Sequence, residues 1–191
     1  MTQRFWRAGV ALLASLPLLA GCSSGTPSAL SGATPLVLES SAALTQSATD
    51  QALNAPGSTA ADFSYLDASE QLCSLHAMES AAKLLLVFFD PDCDHCRNIL
   101  QLLMRNGELS AALDEGRLTL LAVYADGNID AWETLKGRFP SNWRVGIDLS
   151  GVQSEDRYRF DEMPAFYLLD ANKRVLLKNA RPEVALARAL E

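Results

Sequence analysis

Apolar residues along this chain fall into runs of two periods. Leu84 to Phe89 is a continuous apolar run closed by Asp90-Pro91, the pattern of a strand covered on both faces, and Pro91 blocks its continuation. Beyond it the period changes. Cys96, Ile99, Leu100 and Leu103 recur at helical spacing and so share one face of a helix, with Asn106-Gly107 as its C-terminal stop. Upstream, Phe63 to Leu66 and Gln71 to Leu75 flank the polar stretch Asp67 to Glu70, which predicts a β-hairpin. Downstream come a strand at Leu118 to Tyr124, a helix at Ile129 to Phe139 and a short strand at Trp143 to Ile147. Ala165 to Leu169 and Arg174 to Leu177, joined by Asp170-Ala171-Asn172-Lys173, make a second hairpin. Pro182 opens a last helix, with Val184, Ala187 and Leu190 at helical spacing. This alternation predicts an α/β fold, a central mixed β-sheet flanked by helices with an extra N-terminal hairpin.

The first 61 residues follow neither period. Arg4 and Arg7, then the apolar stretch Ala8 to Leu19, then Leu19-Ala20-Gly21-Cys22 read as an export signal; Pro17 interrupts an apolar stretch already short for a bilayer span. The tetrapeptide resembles the bacterial lipobox, in which the Cys is acylated and becomes the mature N-terminus. Residues 1–21 are thus expected to be a lipoprotein signal peptide and Cys22 the lipidation site. Residues 22–61, rich in Ser, Ala, Thr, Gly and Pro, bury too little apolar surface to offset their ordering entropy and are expected to be a flexible tether. A coil of about 40 residues would hold the folded part, residues 62–191, on average roughly 35 Å from the lipid. Ser23 after Cys22, by resemblance to enterobacterial sorting, favours the outer membrane over the inner.

Composition narrows the picture little further. With 191 residues, 49% hydrophobic and 20% charged, the chain has material for one ordinary core. A formal charge of −7, with no basic cluster, excludes nucleic acid as a partner.

The chemistry lies where the two periods meet. The strand delivers Cys93 and Cys96 to the start of a helix, where backbone N–H groups and the positive end of the dipole stabilise a thiolate. A second thiol one turn on can attack a mixed disulfide and release the partner, so Cys93 and Cys96 are the candidate catalytic pair. Cys73, in an apolar strand pattern, is expected to be a small core residue, and His76 a loop residue. With two His and no second Cys pair, a structural metal set is not provided, and no cofactor is called for.

A strand into Cys93-x-x-Cys96 on a helix, then βα, then Met163-Pro164 before a hairpin and a terminal helix, resembles the thioredoxin superfamily from Phe63 to Glu191. With the extra hairpin and the lipoprotein signal, the chain looks most like exported, membrane-tethered TlpA-type thiol:disulfide oxidoreductases, particularly the lipoproteins of Bacteroidetes. The resemblance implies a thioredoxin-like fold, Cys93 as exposed nucleophile and Cys96 as buried resolving thiol. It implies Pro164 as a cis-proline facing the dithiol, with the backbone of Met163 pairing with an extended substrate segment. It implies a bacterial cell-envelope location, facing the periplasm, and exported proteins with thiols or disulfides as partners, including apocytochromes or misbridged proteins. A membrane reductant donor of the DsbD or CcdA kind would supply electrons.

The chain also departs from the pattern. Asp92 replaces the Trp before the first Cys, and Asp94-His95 replaces Gly-Pro between the cysteines. His95 would stabilise a nearby thiolate, as in DsbA-like proteins, whereas Asp92 and Asp94 would oppose it, so reduction, formation and isomerisation of disulfides all stay open. A carboxylate relaying the Cys96 proton has Glu79 and Asp90 among its candidates. Cys-x-x-Cys spacing argues against a copper-delivery protein of the Sco kind. The alternative from another class is a thioredoxin-like binding or assembly lipoprotein whose cysteines form a structural disulfide, and the exposure of Cys93 discriminates the two.

Overall fold

The computed structural model describes residues 53–125, 127–153 and 157–191; the expected signal peptide, Cys22 and the tether as far as residue 52 lie outside them. Among these described residues seven strands and four helices follow in the order β1 (Ser64–Asp67), β2 (Leu72–Ser74), β3 (Lys83–Phe89), α1 (Asp94–Met104), α2 (Gly107–Asp114), β4 (Leu118–Tyr124), α3 (Ile129–Leu135), β5 (Arg144–Asp148), β6 (Ala165–Asp170), β7 (Val175–Ala180) and α4 (Pro182–Leu190). A 3-10 turn, Lys136–Arg138, extends α3. Among the described residues no helix is long and apolar enough to cross a membrane.

One mixed sheet joins all seven strands in the order β2-β1-β5-β4-β3-β6-β7. β3, β4 and β5 run parallel, and β1 and β6 pair antiparallel to β5 and β3. β3 sits between β4 and β6, and Leu84 to Phe89 are all buried. Leu85, Val87 and Phe89 share one face with Cys96, Leu100, Leu109, Trp132, Ala185 and other buried residues of all four helices. Leu84, Leu86 and Phe88 share the other with Ala60, Phe63, Leu75, Val152 and Tyr158, which come from hairpin and loops. The four helices among the described residues therefore seat on one face.

On the opposite face, the described residues gather aromatic rings. Phe88 lies 4.9 Å from Tyr158 and meets Tyr167 edge-on at 6.1 Å, centroid to centroid. Both phenols are satisfied, Tyr158 donating to Ala61 O (2.7 Å) and Tyr167 to Arg159 O (3.0 Å).

Two expectations need correcting. Residues 53–61 are not loose. Ala60 is buried, the Gly57 and Ala60 N–H groups donate to Val175 O (2.7 Å) and Lys173 O (2.8 Å), and buried Asn54 donates to Arg157 O (2.8 Å). Small polar residues satisfy the rim of the sheet through their backbone, which composition does not register. Asn106-Gly107 is also more than a stop, since the Asn106 side chain accepts from Leu109 N (2.8 Å) and opens α2. The Asn that ends one helix caps the next.

The N-terminal hairpin packs closely on the sheet at Gly146, where an added Cβ would overlap the Tyr65 ring and stand 3.0 Å from Leu66 O. Gly146→Ala should therefore destabilise the fold by about 1–3 kcal/mol through overpacking, read as a lower urea midpoint with unchanged m. An unchanged midpoint would show that β1 does not rest on Gly146.

Candidate active site

β3 leaves the sheet at Phe89, and the next three residues form a fixed turn. Asp90 Oδ1 accepts from Asp92 N (2.8 Å), Asp90 O accepts from Cys93 N (3.3 Å), and Arg97 donates to Pro91 O (2.9 Å). Cys93 then caps α1 with an extended backbone, and its Sγ accepts from Cys96 N at 3.3 Å. A sulfur here occupies the N-cap position usually held by a side-chain oxygen, so the charge that best completes the helix start is a thiolate.

Burial separates the two thiols. Cys93 is half-buried, while Cys96, on the core face of α1, is fully buried. The Cys96 N–H, then the Cys96 thiol and the His95 N–H, lower the Cys93 pKa from the ordinary thiol value against its slight burial and the Asp90 carboxylate. Burial pushes the Cys96 thiol up to about 12, with the Cys93 sulfur and the Asp90 carboxylate adding to the rise against the Asp90 N–H. One thiol is thus prepared to ionise and its neighbour to keep its proton.

The third wall comes from β6. Phe88 of β3 pairs with Ala165, so Met163-Pro164 stands at the end of the sheet from which Cys93 emerges. The Met163-Pro164 peptide is cis, Pro164 is buried and Met163 half-buried. A cavity of about 190 Å³ brings His95 of α1 against Met163, Pro164 and Asn179. A larger apolar groove, about 430 Å³, runs along the opposite flank of α1 between Phe89, Leu100, Leu135 and Phe139.

His95, Met163 and Pro164 thus line one cavity, at the same end of the sheet from which Cys93 and Cys96 emerge. Asp94 does not face the thiols alone, because Arg97 one turn on forms an ion pair with it. Of the carboxylates named from sequence, Asp90 bears on both cysteines, whereas exposed Glu79 precedes β3 at the opposite end of the strand. Cys73 sits at the margin of the core, partly buried against the cluster that holds Phe63 and Leu86. It lies half-exposed on edge strand β2, its Sγ 3.9 Å from Asp67 Oδ2, and four strand spacings, about 19 Å, separate β2 from β3. A core-facing residue on an edge strand has a neighbouring strand on one side only, so its burial stays partial. His76 is exposed and its Nε2 meets Ala60 O at 2.8 Å. Among the described residues no group of three or more His, Cys, Asp or Glu is placed to hold a metal. Asn179 escaped sequence reasoning; an Asn one position before the end of an apolar strand was its signal.

No known family profile and no curated protein matches the chain. Solved structures do. A conserved protein of unknown function from Bacteroides fragilis is 31% identical, covering 70% of this chain and 97% of its own, with a TM-score of 0.65. A thioredoxin-like protein from Bacteroides caccae is 28% identical with a TM-score of 0.72, covering 82% of this chain, which spans 56% of that longer one. The thioredoxin domain of a thiol-disulfide oxidoreductase from Bacteroides vulgatus, 21% identical over 71% of this chain and 98% of its own, shares the fold at a TM-score of 0.57.

The asymmetry of the thiols is measurable. In the reduced full-length chain, iodoacetamide should modify Cys93 with a pH midpoint below that of the same cysteine in the unfolded chain, and leave Cys96 unmodified until unfolding. Because the folded pKa of Cys93 is depressed, its thiolate stabilises the reduced fold fully above the unfolded value, a contribution lost as pH falls through the folded one. Equal rates at the two cysteines would contradict this site.

Proposed function

The chain belongs to the thioredoxin superfamily, and from that we propose that it is a TlpA-like thiol:disulfide oxidoreductase working through Cys93 and Cys96. The observation that carries the proposal is the pairing of a half-exposed N-cap thiol of lowered pKa with a fully buried thiol one turn away, beside a cis Met163-Pro164.

In the reductive direction, the Cys93 thiolate attacks one sulfur of a client disulfide, forming a mixed disulfide and expelling the other sulfur as a thiolate. Cys96 loses its proton, attacks Cys93 Sγ and releases the second client sulfur, which takes up a proton. Two electrons pass to the client and the Cys93–Cys96 disulfide remains, to be re-reduced by an external dithiol donor of the DsbD or CcdA kind. In the oxidative direction the same bonds form and break in reverse. Asp90, the carboxylate bearing on both sulfurs, is the candidate for guiding the Cys96 proton. The backbone of Met163 would pair with the client segment, while His95 tunes the couple from the cavity wall. Asp94, tied to Arg97, would tune it less than an unpaired carboxylate.

The chain would act in the bacterial cell envelope, anchored through acylated Cys22, on exported proteins bearing thiols or disulfides. The half-exposure of Cys93 favours exchange over a structural disulfide in a binding lipoprotein.

Cys93→Ser should abolish exchange, Cys96→Ser should accumulate clients as mixed disulfides, and Cys73→Ala should retain turnover. Unaltered turnover in both active-site variants would end the dithiol mechanism. The potential of the Cys93–Cys96 couple, read by alkylation and mass in glutathione or dithiothreitol buffers, assigns direction: near about −270 mV for a reductase, near about −120 mV for an oxidase. A pair that resists reduction while folded would return the reading to a structural disulfide. Metabolic labelling with an alkyne fatty acid should mark the full chain and be lost in Cys22→Ala; label retained in that variant would exclude Cys22 as the anchor.

A further inference from the structure

β7 is irregular at the end of the sheet where it borders the cavity that His95 also lines. Phe166 pairs with Ala180 and Leu168 with Leu177, so two steps along β6 match three along β7, and the extra residue is accommodated at Lys178 and Asn179. Asn179 takes the left-handed backbone conformation, φ 45°, which Asn tolerates better than other side-chain-bearing residues. The bulge turns its carboxamide out of the ladder and onto the loop that leads to Met163-Pro164. There Nδ2 donates to Arg159 O (3.1 Å) and to Asp161 Oδ2 (3.0 Å), two bonds that fix which end of the amide is nitrogen.

The same loop is also held by Asn54 at Arg157 O and by the Tyr167 hydroxyl at Arg159 O, the carbonyl it shares with Asn179. Asn179 reaches closer, to within two residues of Met163. Its Oδ1 is buried without a hydrogen-bond partner, so the side chain is held by its donors alone. Asn179 also shares the 190 Å³ cavity with His95, Met163 and Pro164.

We propose that Asn179 is a positioning residue for client exchange: from the β7 bulge its carboxamide holds the Arg159–Asp161 loop, and thereby sets where the Met163 backbone meets a client segment bound at Cys93. This rests on the oxidoreductase reading above. Asn179 touches neither sulfur, so its loss should weaken capture of an extended polypeptide while leaving the nucleophile intact.

The test uses the reduced full-length chain, with insulin as disulfide substrate and dithiothreitol as electron source. Asn179→Gly keeps the left-handed backbone and deletes the carboxamide; Asn179→Asp keeps its shape, deletes both donors and adds repulsion toward Asp161. In both variants the KM for insulin should rise about fivefold or more with kcat within about twofold, the split expected when binding and not chemistry is lost. The rate of Cys93 alkylation by iodoacetamide should stay at the wild-type value. A KM unchanged in both variants, a loss confined to kcat, or failure of both variants to fold would overturn the assignment. A wild-type chain that alkylates at Cys93 yet does not reduce insulin overturns the oxidoreductase reading and this proposal with it, which separates that failure from a failure of Asn179 alone.

Discussion

Burial of β3 on both faces is the constraint from which the site follows. Side chains alternate along a strand, so a one-residue slip of β3 would exchange the set facing the helices, Leu85, Val87 and Phe89, for the set facing the aromatic cluster. Both sets are fully buried and differently shaped, and the register is therefore fixed. With it are fixed the point at which Asp90-Pro91 leaves the sheet and the neighbours on either side. β4 continues in parallel to Tyr124, and β6 arrives antiparallel with Ala165 opposite Phe88. Cys93 and Pro164 are brought together by a ladder neither belongs to.

Given that frame, the two thiols differ through geometry at short range. A helix start offers unpaired N–H groups, and the chain places one sulfur where it accepts such a bond and the other among apolar residues one turn later. Neither effect requires the charged residues between the cysteines. His95 contributes its backbone N–H, and Asp94 is engaged by Arg97. Substituting Asp-His between the cysteines therefore leaves the device that separates the thiols in place.

Elements with strong periods were legible from sequence: β3, α1, both hairpins and the proline-opened α4. Features that depend on partners distant in the chain were not. Asn106-Gly107 carries the same residues whether a helix stops or starts there, and only the Leu109 N–H bond to Asn106 distinguishes the two. Residues 53–61 have the composition of a tether, yet Ala60 fills a gap beside Phe63 that exists only once the sheet is built. Cys73 alternates correctly for burial but falls on an edge strand. Glu79 and Asp90 were equivalent acids in sequence until β3 put its full length between them.

The leading segment has a mechanical meaning. Gly57 and Ser58 exchange backbone bonds with Val175, Ala60 bonds to Lys173, and Lys178 reaches back to Leu53 O at 2.7 Å. Together these form a strap across the outermost strand of the sheet. Tension entering along the backbone at residue 53 is met first by this strap and by the Asn54–Arg157 bond. None of these bonds involves β1 to β5 or α1, so the body can be held by its leading end without straining the helix that carries the sulfurs.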